Sequence, residues 1–214
     1  MLIGSDRILV CPICGTYAKV RTLMSGNTFG ALRFTDGSMI APHLPDMPYF
    51  TNCRTCGKRY WLDDDNTVWD PWSKEPQDPE ICAQAEYVEK PTPEDFSEAL
   101  RDGLATDTKQ EKYLRVRYWW AVNAAGQRPA NDAESNWPLD MFDNLRSLEA
   151  MLDESDPNAR LMKTEIARET GRFEDAMKLL DWEFPEGFEP AVELIRKLAA
   201  EGETKVALIK ETEE

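Results

Sequence analysis

Cys11-Pro12-Ile13-Cys14-Gly15 and Cys53-Arg54-Thr55-Cys56-Gly57-Lys58 decide how the N-terminal part of this sequence is read. Two residues between paired cysteines let one tight turn present both sulfurs to a single ion. Glycine directly after the second cysteine supplies the positive φ that turns backbone N–H groups toward the thiolates. Two such turns complete a closed tetrahedral set, with no coordination position left for water or substrate. The expected site is therefore one structural Zn²⁺ held by Cys11, Cys14, Cys53 and Cys56. Iron is served by the same turns, and four buried free thiols are the third reading. The 38 residues between Cys14 and Cys53 exceed what the turns themselves need, so an extra hairpin must be inserted.

Working outward, residues 6–62 read as short strands and turns. Arg7–Val10 is apolar up to the first cysteine, and 17–23 alternates imperfectly. Ser25-Gly26-Asn27 is a turn, and 29–34 runs into Asp36-Gly37, a strong two-residue hairpin signal. Pro42, Pro45 and Pro48 break the chain before the second cysteine pair, and Tyr60-Trp61-Leu62 closes the module. Residues 63–92 form an acidic connector punctuated by Pro71, Pro76, Pro79 and Pro91, ordered but irregular, with Trp69 and Trp72 available to pin it.

From residue 93 to 214 helices dominate. Thr92-Pro93-Glu94-Asp95 offers an N-cap, a proline at the first helical position and acids in the first turn. Phe96, Ala99, Leu100 and Leu104 then share one face. Thr108 with Glu111 forms a capping box, and 113–125 is apolar nearly all round, as a central helix would be. Met141, Leu145, Leu148 and Leu152 recur at helical spacing, and Asp156-Pro157 starts a helix that ends at Gly171. Two further stripes are Phe173, Ala176, Met177, Leu180, Phe184 and Phe188, Ala191, Val192, Ile195, Leu198. A short helix over 204–209 precedes a frayed acidic tail. Short connections make these helices antiparallel neighbours. The expected fold is α+β: a small β-rich module (1–62), the connector (63–92) and an all-α, repeat-like domain (93–214).

The first of these parts, residues 11–61, resembles a zinc ribbon, and Ser25–Ala31 with Asp36-Gly37, Ala41-Pro42 and Tyr60-Trp61-Leu62 is similar to the start of uncharacterised bacterial proteins. Residues 157–184 resemble a tetratricopeptide-type helical hairpin, with Gly171-Arg172-Phe173-Glu174-Asp175-Ala176 as its inter-helix turn and Leu180 at a later apolar position. Lys163, Thr164 and Ala167 depart from that pattern. Residues 110–154 read as an interrupted copy of the pair.

The chain has 214 residues, 42% hydrophobic and 30% charged, with a net charge of −15. Residues 1–62 hold seven Lys/Arg against three Asp/Glu, and residues 63–214 hold 18 against 37. So acidic a chain is repelled by phosphate backbones and anionic membranes. No apolar run approaches the roughly 20 residues of a membrane span. The N-terminus lacks an export signal, and cysteine pairs without one point to metal rather than disulfides, so the cytoplasm is the expected compartment.

Other candidates read blandly. His43 is the sole histidine and is surplus to a four-cysteine site. Cys82 reads as a packed thiol, Tyr118-Trp119-Trp120 as core, and Asp63-Asp64-Asp65 as a solvated loop. No phosphate loop, dinucleotide fingerprint or HExxH element occurs. A non-enzymatic interaction scaffold is therefore expected. Its partner would be a protein offering a basic or polar peptide to acids around the repeat-like hairpin: Glu165, Glu169, Glu174, Asp175 and Glu183. The alternatives are a nucleic-acid- or transcription-associated ribbon using Lys19, Arg21, Arg33, Arg54, Lys58 and Arg59, with Tyr49, Phe50, Tyr60 and Trp61 to stack bases, or an enzyme or rubredoxin-like iron protein.

Overall fold

A computed structural model describes residues 1–72, 78–125 and 137–209. Pro76 and the acidic tail lie outside the described residues, as does the middle of the 110–154 segment. The chain is α+β, β-rich at its N-terminal end and helical afterwards. In chain order come β1 (Leu2–Ile3), β2 (Arg7–Val10), β3 (Tyr17–Val20), β4 (Leu23–Ser25), β5 (Leu32–Phe34), β6 (Met39–Ile40), β7 (Phe50–Asn52), β8 (Arg59–Trp61) and β9 (Thr67–Trp69). They are followed by α1 (Pro79–Gln84), β10 (Glu86–Tyr87), α2 (Pro93–Arg101), α3 (Thr108–Ala124), α4 (Met141–Ala150), α5 (Pro157–Glu169), α6 (Phe173–Leu180), α7 (Glu189–Ala200) and β11 (Leu208–Ile209). Two compact units form, each from two stretches of chain: Met1–Ala31 with Ala41–Leu104, and Leu32–Ile40 with Ala105–Glu214.

In the first unit β10, β3, β2 and β9 make one sheet in that order, with β10 parallel to β3 and the other pairs antiparallel. The acidic connector thus supplies both edge strands, which is more regular structure than its prolines suggest. Asp63 caps a 3-10 turn over Asp64–Asn66, and Asp78 caps α1. Trp69 pairs with Ile8 across the sheet. Trp72 is 72% exposed and packs into no core among the described residues. β7 and β8 form a separate hairpin. Helix α2 starts as expected, with Thr92 and Asp95 closing a reciprocal capping box and Pro93 in the first turn. Its buried Phe96 meets the buried Phe50 edge-on, ring centroids 5.1 Å apart.

In the second unit α3 begins one residue earlier than its expected box: the cap is Asp107, whose carboxylate accepts from Gln110 N. A carboxylate interacts better than a hydroxyl with the positive end of a helix, which leaves Thr108 as the first helical residue. Leu114, Val116, Tyr118, Trp119 and Val122 are buried on several faces of α3. The Met141, Leu145, Leu148 and Leu152 stripe is buried in full. Helices α5 and α6 form the expected hairpin through Thr170-Gly171-Arg172, and Ala167, Ala176 and Ala199 let α5, α6 and α7 approach closely around Phe173 and Met177. Helix α6 stops at Leu180, so Phe184 leaves the stripe and packs between Trp182, edge-on at 5.0 Å, and Phe188, tilted at 5.8 Å.

The turn at Gly171 has φ +77°, and a methyl added there would meet nothing within 4 Å. The cost of Gly171→Ala is thus purely conformational, about 1 kcal/mol. A urea midpoint unchanged by this substitution would contradict the turn.

The helix expected over 204–209 does not form. Leu208 and Ile209 pair instead with Phe34 and Arg33, making a sheet of order β11-β5-β6. A six-residue helix without a cap is marginal, whereas β5 offers an open edge. Thr35 N bonds to Ala207 O at 3.0 Å, and Ala207 N to Thr35 Oγ1 at 3.1 Å. The Glu203 and Lys205 carbonyls accept from the Arg168 guanidinium, so they are diverted from helical use.

Candidate metal centre

The first knuckle turns out of β2 and the second is the loop of the β7–β8 hairpin. The same hydrogen bonds shape both. Cys11 N bonds to Thr16 O and Gly15 N to Cys11 O, each at 2.9 Å. Cys53 N bonds to Lys58 O at 2.9 Å and Gly57 N to Cys53 O at 2.8 Å. Gly15 and Gly57 sit at φ +74° and +68°, the left-handed geometry expected of them.

The four sulfurs converge. All lie within 4.8 Å of one another, with Cys14 Sγ 3.5 Å from Cys53 Sγ and Cys11 Sγ 3.8 Å from Cys56 Sγ. Zn–S bonds of about 2.3 Å in a tetrahedron place sulfurs about 3.8 Å apart. The donor set therefore fits a tetrahedral ion, and these four residues can hold one. No family model, curated protein or solved structure matches the chain. What the centre does must come from its own chemistry.

Cys11 and Cys53 are 1% and 5% exposed and belong to the core, packed with Leu9, Val20, Tyr60 and Leu62. Cys14 is exposed. This asymmetry separates the thiols. Burial pushes Cys11 up to about 12, while the Thr16 hydroxyl, 3.3 Å from Cys14 Sγ, helps pull Cys14 down to about 6. Burial beside four sulfurs also raises the Tyr60 phenol. His43 is exposed and outside the cluster, and Cys82 sits half-buried on α1.

The basic residues of the N-terminal part are largely engaged. Arg54 pairs with Glu86 at 2.7 Å and Glu89 at 2.9 Å. Arg59 faces Asp95, Glu98 and Asp102. Lys19 and Arg21 lie against the Tyr87 ring. Of the four aromatics considered for stacking, Phe50 and Tyr60 are buried, and Trp61 donates to Leu104 O at 2.9 Å. Only Tyr49 is well exposed. The acids at 86–102 that take up these cations carried one signal in the sequence, the Thr92–Asp95 cap, which reads as local.

Glu165 and Glu169 are 0% and 4% exposed, so they do not belong to an acidic surface. Glu165 forms a buried pair with Arg168. Glu169 accepts from Trp119 Nε1 at 3.0 Å, and Asn123 Nδ2 reaches both Glu169 and the buried Asp36. Glu165 is compensated within α5 by Arg168, three residues on, whereas Glu169 is compensated by Trp119 of α3, which periodicity along α5 does not reveal. Glu174, Asp175 and Glu183 are exposed. Tyr118, Trp119 and Trp120 follow the core reading: Tyr118 donates to Asp140 at 2.6 Å and Trp120 to Asp36 O at 2.8 Å.

Proposed function

We propose that Cys11, Cys14, Cys53 and Cys56 hold one structural zinc ion, and that the chain is a non-enzymatic interaction scaffold. The observation that carries this reading is the convergence of four sulfurs, joined by no further His, Cys, Asp or Glu among the described residues. An ion so enclosed supplies folding energy and has no open position for chemistry. A cytoplasmic setting would keep the thiols reduced. The helical unit would then present acids to a basic or polar peptide of another protein, through Glu174, Asp175 and Glu183 rather than through the buried pair. Nucleic acid is the weaker reading, because Arg54 and Arg59 are already paired with acids of the same unit.

The test is to recover a partner with the full chain and measure affinity at about 50 and 500 mM salt, concentrations that bracket strong and weak screening. Affinity should fall about tenfold or more, and further with Glu174→Lys and Asp175→Lys, because rim charges act through steering and partner choice. Binding indifferent to salt and to both reversals would overturn the acidic-surface reading.

A further inference from the structure

The second knuckle is held from outside by helix α2. Asn52 immediately precedes Cys53, and Arg59 lies directly opposite Asn52 across the β7–β8 hairpin. The carboxylate of Asp95 touches both. Its Oδ1 accepts from Asn52 Nδ2 and lies 3.6 Å from the Arg59 guanidinium. Its Oδ2 accepts from Thr92 N at 2.8 Å and Thr92 Oγ1 at 3.0 Å. One side chain therefore closes the α2 cap with one oxygen and grips both strands of the cysteine-bearing hairpin with the other.

Two features separate this arrangement from an ordinary surface ion pair. Asp95 and Arg59 are 15% and 16% exposed, so solvent screens them weakly. The Asn52 amide oxygen is buried without a hydrogen-bond partner, so among the described residues the orientation of that amide rests on Asp95. Around the contact, Phe50 packs on Phe96, and Thr51 Oγ1 donates to Glu89 O at 3.3 Å. The site needs its two knuckles at a fixed separation, and the hairpin carrying one of them is aimed by α2.

We infer that Asp95 is a positioning residue for the metal centre, setting how tightly the Cys53–Cys56 half of the site is retained around the ion. This rests on the metal reading above. Side chains that orient ligands from behind commonly alter metal affinity 10- to 100-fold when replaced, and Asp95 acts one step further out, through Asn52 and Arg59.

The experiment loads the full chain with Zn²⁺ and follows transfer of the ion to a chromogenic chelator. Asp95→Asn should release the ion about tenfold faster than the unsubstituted chain. Thr92→Ala, which removes the hydroxyl side of the cap but keeps the grip on the hairpin, should change the rate less than about threefold. Asn52→Ser, which leaves the cap and Arg59 in place, should shift it in the same direction as Asp95→Asn and keeps the test valid should that variant fold poorly. An unchanged rate in Asn52→Ser together with either an unchanged rate in Asp95→Asn or an equal gain in Thr92→Ala would overturn the positioning role alone. An unsubstituted chain that takes up no Zn²⁺ would overturn the metal reading and this one with it.

Discussion

Protein expressed without added metal should carry close to one equivalent of zinc per chain, and Cys53→Ser should remove it. Cys53 is at once one of the four sulfurs that can hold an ion and a core residue, packed with Leu9, Cys11, Val20, Tyr60 and Leu62. Replacing it leaves three sulfurs and puts a hydroxyl among apolar side chains. Structural zinc contributes about 10–16 kcal/mol of apparent binding energy to small folded modules, so its loss outweighs the few kcal/mol of an ordinary core substitution. Hydrogen-exchange protection should collapse in the unit made of Met1–Ala31 and Ala41–Leu104 and persist in α3 to α7. Uptake of the ion should also release protons at neutral pH, because Cys11 is buried with a raised pKa and must give up its proton to bind. Cys14, already lowered, contributes less of that release. Elemental analysis that finds iron, or less than about half an equivalent of zinc, would refute the zinc assignment.

Arg168→Met should be the most damaging single substitution in the helical unit. The guanidinium is wholly buried, donates to Glu165 from Nε at 2.8 Å and from Nη2 at 2.5 Å, and reaches the carbonyls of Glu203 and Lys205. Removing it strands a buried carboxylate and frees two carbonyls that hold the segment leading into β11. Breaking a buried pair from one side costs about 3–5 kcal/mol. Urea unfolding followed by far-ultraviolet circular dichroism should register a loss of this size. Adding Glu165→Leu should recover part of it, because the uncompensated charge is then gone while the two carbonyls remain unpaired. A single substitution costing less than about 1 kcal/mol, or a double variant worse than the single, would refute this account.

Signals that act over a few residues could be read without the structure. The two Cys-x-x-Cys-Gly turns, the Thr92–Asp95 box, the Asp156-Pro157 start and the Gly171 stop each depend on neighbours within one turn of chain, and each is found where the sequence places it. The helical stripe through Met141, Leu145, Leu148 and Leu152 was equally legible, because burial of apolar residues at helical spacing needs only some partner and not a particular one.

Long-range pairing was decided by the tertiary structure. The Asp36-Gly37 hairpin is local, but its packing beside Trp120, Asn123 and the strand at Leu208–Ile209 is not. Residues 204–209 have weak preferences of their own, so an open strand edge and one buried guanidinium determine their conformation. Glu165 and Glu169 look like surface acids in any reading of composition, and they are interior because Arg168, Trp119 and Asn123 supply the charge and hydrogen bonds that make burial tolerable. Asp95 belongs to both classes: its cap is written in four consecutive residues, and its grip on Asn52 and Arg59 exists only once α2 lies against the hairpin. Turn geometry and capping are properties of short segments of chain, whereas the burial of a side chain such as Glu169 depends on distant residues that compensate it.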